Sequence, residues 1–306
     1  MGIRVEDIAF VGFRAPDLSK MRAFMEDFGA IVAYEDEHRL FMRGAAETPF
    51  LHVTERGEAG FAMIGLRSET MADLKTLAAE EGVKIEALDA PGGGSYIDLR
   101  DPDGNIVRVV AGQRPVEPVA FDDPYLWNFA RSKPRLREVK RIEQGPPKIV
   151  RLGHAVLSVS DFRVSEAWYK QRFGFITSDE VEVAPGIALG AFMRCDRGST
   201  PTDHHTLFLA QFPSGPGFNH AAFEVRDIED VLSGHSLLKD KNYTSVWGIG
   251  RHYLGSQVFD YWRDPWGHTL EHWTDGDMFT ADDAPRMATV ADLVGAQWGP
   301  PAPSDL

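Results

Sequence analysis

The chain has 306 residues, a formal net charge of -14 and one cysteine. This length predicts two domains, each able to bury its own core, and the negative charge argues against a nucleic-acid partner, because phosphate binding depends on Lys and Arg. Cys195 cannot form an internal disulfide or a thiolate zinc site, so any metal must use His and carboxylate ligands. No run reaches the about 20 apolar residues of a membrane span. The start carries Glu6 and Asp7 instead of a long apolar segment, so we expect a cytoplasmic protein without a membrane partner.

The first half of the sequence alternates short apolar strands with two helices. Asp17 opens a helix that runs through Phe28 and stops at Gly29, and a second helix is predicted at 71–81, with Gly82 as its end. The predicted strands lie at 7–14, 40–42, 50–54, 61–66, 95–99 and 105–110. Each unit of the first half is therefore a strand, a helix and then several strands.

Residues 113–148 have a different composition, with six prolines and a basic run. The basic residues are Arg131, Lys133, Arg135, Arg137, Lys140 and Arg141. An anion-binding patch is one interpretation, but a solvated interdomain segment fits the acidic chain better. We therefore predict an amino-terminal domain at 1–138 and a carboxy-terminal domain at 148–306.

The second half of the sequence repeats the first. The matching segments are 9–30 with 153–175, 60–68 with 217–225, and 100–108 with 263–271. Two homologous halves, each of two strand-helix-strand units, indicate an internal duplication. The sequence therefore predicts an α+β fold of two similar domains.

The segment 258–273, VFDYWRDPWGHTLEHW, predicts a β-hairpin. Asp-Pro-Trp-Gly at 264–267 suits a type I turn followed by a left-handed Gly267, which closes a three-residue loop. This register places Tyr261 directly across from Glu271. Partners across two strands have Cβ atoms about 5 Å apart, and a carboxylate on an apolar sheet is costly unless a metal or hydrogen bonds receive it. We interpret Glu271 as a metal ligand.

Three candidate ligands in the second half align with residues of the first half that are not ligands. The aligned pairs are His154 with Phe10, His220 with Met63, and Glu271 with Arg108. Either histidine alone would more often be a buried structural residue. All three candidate ligands are absent from the first half together, however, which indicates that they serve one shared purpose, the binding of a metal. Two histidines and one carboxylate on three strands form the facial triad that leaves coordination positions open and favours Fe(II) for oxygen chemistry.

His154 in GHAVLSV, His220 in FNHAAFEV and Glu271 in DPWGHTLEHW resemble the type I extradiol ring-cleaving dioxygenases of the vicinal oxygen chelate superfamily, the catechol and dihydroxybiphenyl dioxygenases. The resemblance covers almost the whole chain. It implies two βαβββ modules per domain in an incomplete barrel, with the metal only in the carboxy-terminal domain and a catalytically empty amino-terminal one. It also implies a homo-oligomer that cleaves a catechol with dioxygen at Fe(II), or Mn(II), to a ring-opened semialdehyde.

Three further residues match the catalytic positions of that family. His205 in DHHTLFLA matches the general acid, and His252 in GRHYLG and Tyr261 match the residues that orient the substrate oxygens. The neighbouring His204 is an alternative to His205. Strict alternation along a strand would place His205 on the face of Leu207 and Leu209, without showing which face meets the metal. The family spacing selects His205.

The sequence departs from the dihydroxybiphenyl type at 253–255, where Tyr, Leu and Gly replace the usual Asn and Asp after the histidine of GRH. Gln257 and the Asp-Pro-x-Gly turn are closer to the catechol 2,3-dioxygenases, so the substrate subclass stays open. We assign no site role to His235, expected at a solvent position, or to His272, expected on the opposite face from Glu271. Three tryptophans are candidates to line an aromatic pocket, namely Trp247, Trp266 and Trp273.

Three alternatives remain at this stage. A glyoxalase-like isomerase or epimerase would take metal ligands from both halves, and Phe10, Met63 and Arg108 speak against it. A 2-oxo-acid dioxygenase of the hydroxyphenylpyruvate type would use the same triad without requiring His205 and its partners. A metal-free protein that sequesters an aromatic ligand is the third alternative, and iron content after purification would distinguish it.

Overall fold

The structure is a computed structural model, and it describes residues 2–121, 126–142 and 144–303. The elements of the first half are β1 (Val5–Ala15), α1 (Leu18–Asp27), β2 (Ile31–Glu35), β3 (Arg39–Arg43), β4 (His52–Arg56), β5 (Gly60–Ser68), α2 (Met71–Glu81), β6 (Glu86–Ala87), β7 (Ser95–Arg100) and β8 (Ile106–Ala111). Strand, helix and strands therefore follow one another twice, in agreement with the predicted units.

The second half has the same order of elements with one short added strand at Thr202–Asp203, and it is followed by a carboxy-terminal tail. Its elements are β9 (Ile149–Ser158), α3 (Phe162–Phe173), β10 (Ile176–Ala184), β11 (Ile187–Arg194), β12 (Thr202–Asp203), β13 (Leu207–Ala210), β14 (Gly217–Val225), α4 (Ile228–Asp240), β15 (Thr244–His252), β16 (Val258–Arg263) and β17 (Thr269–Thr274). The tail contains β18 (Met278–Phe279), β19 (Arg286–Thr289), α5 (Val290–Leu293) and β20 (Ala296–Trp298). The predicted α+β class is confirmed.

Local sequence signals explain where the helices begin and end. The Asp17 carboxylate accepts from the backbone N–H of Lys20 and caps α1, and Thr70 caps α2 through a capping box. Gly82 ends α2 with a left-handed φ of 66°, so the predicted helix at 71–81 is correct at both ends. The short strands β2 and β6 were not predicted, because neither contains a clear alternation of apolar and polar residues.

The two large sheets have the same central topology. The first has the order β2-β3-β4-β1-β5-β8-β7-β6, and the second has β19-β10-β11-β13-β9-β14-β17-β16-β15-β20. In each sheet a central antiparallel pair, β1–β5 or β9–β14, is flanked on both sides by a parallel neighbour. Each half is therefore two strand-helix-strand modules joined at their first strands.

The register of these central pairs agrees with the sequence repeat. Gly12 pairs with Met63 in the first half as Val156 pairs with His220 in the second. Phe10 pairs with Gly65 as His154 pairs with Ala222. The column-by-column alignment of the two halves is therefore also an alignment of the backbone.

Apolar residues of both halves form one large buried core cluster. It includes Phe13 and Phe28 of the first half together with Phe223 and Leu270 of the second. The helices pack against this cluster through their buried stripes, such as Leu74 and its neighbours in α2. The other faces of the two sheets carry separate apolar clusters, and the second of these borders the site described below.

The segment that joins the halves contains no helix or strand in its described residues between Ala111 and Ile149. Its start is fastened to the first half by bonds from the N–H of Val116 to the carbonyl of Glu47 and from that of Val119 to Ala45. The predicted domain limits at 138 and 148 fall within this segment and stay a prediction. Within the described ranges, no helix has the length and apolar character to cross a membrane.

Candidate metal centre

Three neighbouring strands bring His154, His220 and Glu271 together. Ala222 of β14 pairs with His154 of β9 on one side and with Glu271 of β17 on the other. His220 lies two residues before Ala222, so the period of a strand puts all three side chains on one face of the sheet. One ligand atom from each of the three lies within 4.8 Å of the others. The structure thus assembles the three predicted ligands.

The surroundings of Glu271 fit a bound cation. The side chain is fully buried, and neither carboxylate oxygen has a hydrogen-bond partner. Nε2 of His154 and Nε2 of His220 approach Oε2 at 3.3 and 3.4 Å, and Nε2 of His252 lies 3.6 Å from Oε1. Burial alone would raise the pKa of Glu271, but the three histidines hold it well below its usual range. A buried, ionised carboxylate with converging nitrogens is the donor set that a divalent metal would satisfy.

Both histidines of the cluster direct a ring nitrogen at Glu271. Nδ1–H of His220 donates to Oδ1 of Asn219 at 2.7 Å, which leaves the lone pair of its Nε2 free on the side of Glu271. His154 is buried, and this burial lowers the pKa of its imidazole. Neutral imidazole is the form that binds a metal.

The hairpin of β16 and β17 has the predicted register. Tyr261 pairs with Glu271, and Gly267 closes the turn with a left-handed φ of 91°. The hydroxyl of Tyr261 lies 2.9 Å from Nε2 of His252. Burial and the nearby carboxylate raise the pKa of Tyr261 well above its usual value, so the phenol keeps its proton. Tyr261 and His252 form a hydrogen-bonded pair beside the carboxylate.

His205 packs against His154, with ring centroids 3.9 Å apart, and is the end of a hydrogen-bonded chain. Its Nδ1 lies 3.0 Å from Nδ1 of His204, whose Nε2 lies 2.5 Å from Asp179. Asp179 also accepts from Nε of Arg286 at 3.0 Å. Burial opposes ionisation of Asp179, but His204 and Arg286 hold its pKa below the ordinary value.

The hydrogen bonds of this chain hold the ring of His205 in place. An ionised Asp179 only accepts, so Nε2–H of His204 donates to it. Burial, with His154 and His204 nearby, lowers the pKa of His205 well below its usual value, so His205 is neutral. One hydrogen bond joins Nδ1 of His205 to Nδ1 of His204.

The predicted alternation around His205 is wrong. His205 and Phe208 both line the cavity, whereas Leu207 and Leu209 belong to the main core. The reason is that β13 begins only at Leu207, so His204 and His205 precede the regular strand. The choice of His205 over His204 agrees with the lining of the cavity, and His204 is its hydrogen-bond partner.

The residues at 253–255, where the sequence differs from the dihydroxybiphenyl dioxygenases, include a glycine that packs closely against His204. Gly255 has a left-handed φ of 76°, and a Cβ at this position would lie 3.0 Å from Nδ1 of His204.

Sequence reasoning did not find Asp179 or Asn219. Asp179 belongs to no motif and is far from His204 in sequence, while the adjacent pair of Asn219 and His220 offered a weak signal.

A cavity of about 500 Å³ opens beside the cluster. Its histidines and its phenol come from the predicted set, namely His154, His205, His220, His252 and Tyr261. Of the three candidate tryptophans, only Trp247 is part of its wall; Trp273 is buried in the sheet, and Trp266 lies under the ammonium of Lys20.

The two histidines left out of the site have structural partners. Nε2–H of His272 donates to the carbonyl of Phe28 at 2.7 Å, which confirms that His272 points away from the metal cluster. His235 is half-buried and lies 3.0 Å from the buried carboxylate of Asp260. The expected solvent position of His235 is therefore wrong, because Asp260 on β16 draws the ring inward.

The corresponding face of the first half has a different chemistry. Phe10 and Met63 are buried in an apolar cluster with Phe41. Arg108 donates from Nε and Nη2 to the two oxygens of Asp98, each at 2.8 Å, and Asp98 is its partner across the hairpin, as Tyr261 is for Glu271. In the first half, apolar side chains and an ion pair therefore occupy the positions that correspond to the three candidate metal ligands of the second half.

Residues 151–272 match the Glyoxalase/Bleomycin resistance protein/Dioxygenase superfamily. Metapyrocatechase 2 of Cupriavidus necator is 29% identical over 309 residues, covering 98% of this chain and 90% of that protein. The iron-dependent extradiol dioxygenase of Rhodococcus jostii (strain RHA1) is 26% identical over 271 residues, covering 85% of this chain and 78% of that protein.

Solved structures share the fold over nearly the whole chain. The Mn(II)-bound glyoxalase from Novosphingobium aromaticivorans has a TM-score of 0.80 and 23% identity, covering 99% of this chain and 94% of that one. Homoprotocatechuate 2,3-dioxygenase from Brevibacterium fuscum, in its anaerobic complex with 3,4-dihydroxyphenylacetate, has a TM-score of 0.79 and 21% identity, covering 99% and 91%. Residues 151–272 are thus similar in sequence to the Glyoxalase/Bleomycin resistance protein/Dioxygenase superfamily, and the chain shares its fold with these two solved structures.

Proposed function

We propose that this protein is an extradiol dioxygenase that cleaves a catechol-type ring with dioxygen and gives a ring-opened semialdehyde. The carrying observation is the buried cluster of His154, His220 and Glu271 at a cavity whose wall also carries His205 and the pair of His252 and Tyr261. The names of the relatives in Cupriavidus necator and Rhodococcus jostii support the same reaction.

The metal would be Fe(II), with Mn(II) as the alternative, held by His154, His220 and Glu271. Two histidines and one carboxylate leave coordination positions open, and this set favours Fe(II) in oxygen chemistry. When bound, the metal would lower the pKa of the catechol hydroxyls and bring substrate and dioxygen together. The iron-dependent relative and the Mn(II)-bound structural neighbour are consistent with either ion.

His205 would move a proton at Nε2. In the tautomer in which Nδ1–H of His205 donates to His204, Nε2 has a lone pair; it would accept a proton from a substrate hydroxyl and later return it as the general acid. His204 and Asp179 keep Nδ1–H engaged during the first of these transfers. This sequence refines the general-acid role predicted for His205.

His252 and Tyr261 would orient the substrate oxygens. The phenol of Tyr261 keeps its proton and lies 2.9 Å from Nε2 of His252, so the pair can offer a hydrogen bond to a ring oxygen that carries negative charge. A glyoxalase-like enzyme that draws ligands from both halves is less compatible with the chain, because Phe10 and Met63 offer no donor.

The test is anaerobic reconstitution of the purified protein with Fe(II), followed by addition of a substituted catechol and then of air. A yellow ring-opened product is expected, whereas absence of colour with a panel of catechols would overturn the proposal. His220→Ala should lose both iron and colour. His235→Asn is the matched control, since His235 is half-buried and lies outside the cavity wall.

The homo-oligomer and the cytoplasmic location belong to the proposal as well. Mass from light scattering on the purified protein tests the first, and fractionation of the source cells tests the second. A monomer at micromolar concentration would refute the homo-oligomer without affecting the proposed reaction.

A further inference from the structure

The cavity changes character from its base to its opening. At the base lie His154 and Tyr261, each 2% exposed. At the opening lie apolar side chains with large exposed fractions, including Val183 at 54% and Val294 at 47%. We call the outer part the apolar mouth, and its residues are Val183, Leu189, Phe212, Pro213, Val290, Leu293, Val294, Ala302 and Pro303.

Three separate parts of the second half build the apolar mouth. Val183 and Leu189 come from the hairpin of β10 and β11, Phe212 and Pro213 follow β13, and the rest come from the tail. The tail is fastened to the wall, because Nε1–H of Trp247 donates to the carbonyl of Pro300 at 3.0 Å. The apolar mouth is therefore a built part of the cavity and lies next to the metal cluster.

The described lining of the cavity contains no Lys, Arg, Asp or Glu side chain. Its polar groups are mostly engaged: Asn219 holds His220, and His205, His252 and Tyr261 face the ring oxygens in the proposed reaction. Gln257 remains, and its buried Nε2 has no partner. A carboxylate in the mouth would lose part of its hydration to apolar walls and would meet no cationic side chain there.

We propose that the substrate is a catechol with an uncharged, apolar substituent that lies in the apolar mouth, and not a catechol with a carboxylated side chain. This inference rests on the proposed function and names its substrate class. A volume of about 500 Å³ is in the range of about 300–1,000 Å³ that holds larger ligands, so a bare catechol ring would leave the mouth empty. The net charge of -14 further disfavours an anionic substrate.

The first experiment measures anaerobic binding to the full-length, Fe(II)-loaded protein by calorimetry, without turnover. The matched probes are 4-isobutylcatechol and 3,4-dihydroxyphenylacetate, which have the same branching but differ in charge. We expect the isobutyl compound to bind at least about tenfold more tightly, and each added methylene in a 4-alkyl series to tighten binding about fourfold. Equal or tighter binding of the carboxylate would overturn the inference.

The second experiment introduces a cation into the apolar mouth. Val183→Arg is expected to tighten binding of 3,4-dihydroxyphenylacetate and to leave 4-isobutylcatechol weaker or unchanged. Val164→Arg on α3 is the matched control, because its side chain is 53% exposed compared with 54% for Val183 and it does not line this cavity. If Val183→Arg and Val164→Arg behave alike, the mouth does not contact the substituent and the inference is wrong.

Turnover separates this inference from the proposed function. Cleavage of both probes with a preference for the carboxylate would refute the substrate class and leave the dioxygenase proposal intact. Tight binding of alkylcatechols, with no ring cleavage after air is admitted, would support the mouth as the binding site and refute the proposed reaction.

Discussion

At the scale of single residues, the site depends on which protons are held and where. Nε2–H of His204 donates to the ionised Asp179, and one hydrogen bond joins the Nδ1 atoms of His204 and His205. Unlike Asp179, Glu271 accepts no hydrogen bond at either carboxylate oxygen, although histidine nitrogens surround it. We propose two purposes for these histidines of similar burial, to bind a cation and to transfer a proton.

The first prediction concerns His205→Phe. Because the proposed role of His205 is proton transfer and not metal binding, turnover should fall by about 100- to 10,000-fold, while iron content and anaerobic catechol binding stay close to those of the unmodified protein. Stopped-flow turnover, metal analysis and calorimetry measure the three quantities. His154→Ala is the comparison, since it should lose the iron itself. A His205→Phe protein that lacks iron, or that turns over normally, would contradict the role.

The second prediction concerns His52, a fully buried residue stacked on Phe13 whose ring nitrogens have no hydrogen-bond partner. Burial lowers the pKa of His52 from 6.5 to about 3. The unfolded state therefore binds more protons below pH 6.5, so this residue lowers the free energy of unfolding as the pH falls from 6.5 towards 3, by up to about 1.4 kcal/mol per pH unit.

The measurement is urea unfolding of metal-free protein at pH 7 and pH 5. His52→Phe should lose less stability on acidification than the unmodified protein. His235→Phe is the control of opposite sign, because a hydrogen bond to Asp260 raises the pKa of His235 and acid strengthens that pair. Identical pH dependence for His52→Phe and the unmodified protein would show that His52 is not neutral in the fold.

At the scale of elements, local turn chemistry determined what was predictable. The hairpin of β16 and β17 follows from Asp-Pro-Trp-Gly alone, and its register places Tyr261 opposite Glu271. The contact between Asp179 and His204 joins β10 to an irregular segment before β13, and Arg286 reaches it from β19. No local pattern encodes such a contact, because it depends on the final packing of three distant segments. The predicted alternation of side chains around His205 was wrong for a related reason. His205 lies before the first residue of β13, so the two-residue period of a strand does not apply to it.

The third prediction compares two left-handed glycines, Gly255 and Gly267. Alanine at either position should destabilise the fold by about 1 kcal/mol, because a left-handed backbone strains an L residue. A Cβ at Gly267 would meet nothing within 4 Å, whereas one at Gly255 would lie 3.0 Å from Nδ1 of His204. Gly255→Ala should therefore also displace His204 and lower turnover.

The check is thermal unfolding together with turnover and iron content of the two variants. Similar melting temperatures with reduced turnover only in Gly255→Ala are expected, with iron retained in both. Equal turnover of the two variants would show that the position of His204 has no effect on the chemistry.

At the scale of the whole molecule, the duplication explains why one site is expected in two similar halves. The backbone register is shared, so the difference lies in side chains alone: Phe10 and Met63 fill the first half, and Arg108 is bound to Asp98. The sequence repeat was enough to predict these equivalences. The position of the tail over the cavity was not, because the first half has no copy of the tail.

The fourth prediction is a stoichiometry of one metal per chain. Phe10 and Met63 offer no donor for a hard cation, and Arg108 is a fixed cation at the position of Glu271. Mass spectrometry of the native protein after Fe(II) loading counts the ions. Two tightly bound ions per chain would contradict the prediction, and loss of the single ion in Glu271→Ala would locate it.

The stacking of His272 on Phe28 links the sequence of the first half to that of the second. The rings lie 3.7 Å apart, and Nε2–H of His272 donates to the carbonyl of Phe28. His272 adjoins Glu271 on β17, so a half without ligands of its own still supports the strand that carries the carboxylate. A substitution at Phe28 would reach the carboxylate through His272 and β17, whereas Phe10 lies in the apolar cluster of the first half. Among descendants of one duplicated ancestor, the interior of the first half should accept many apolar residues, while the contact at Phe28 should change only together with His272.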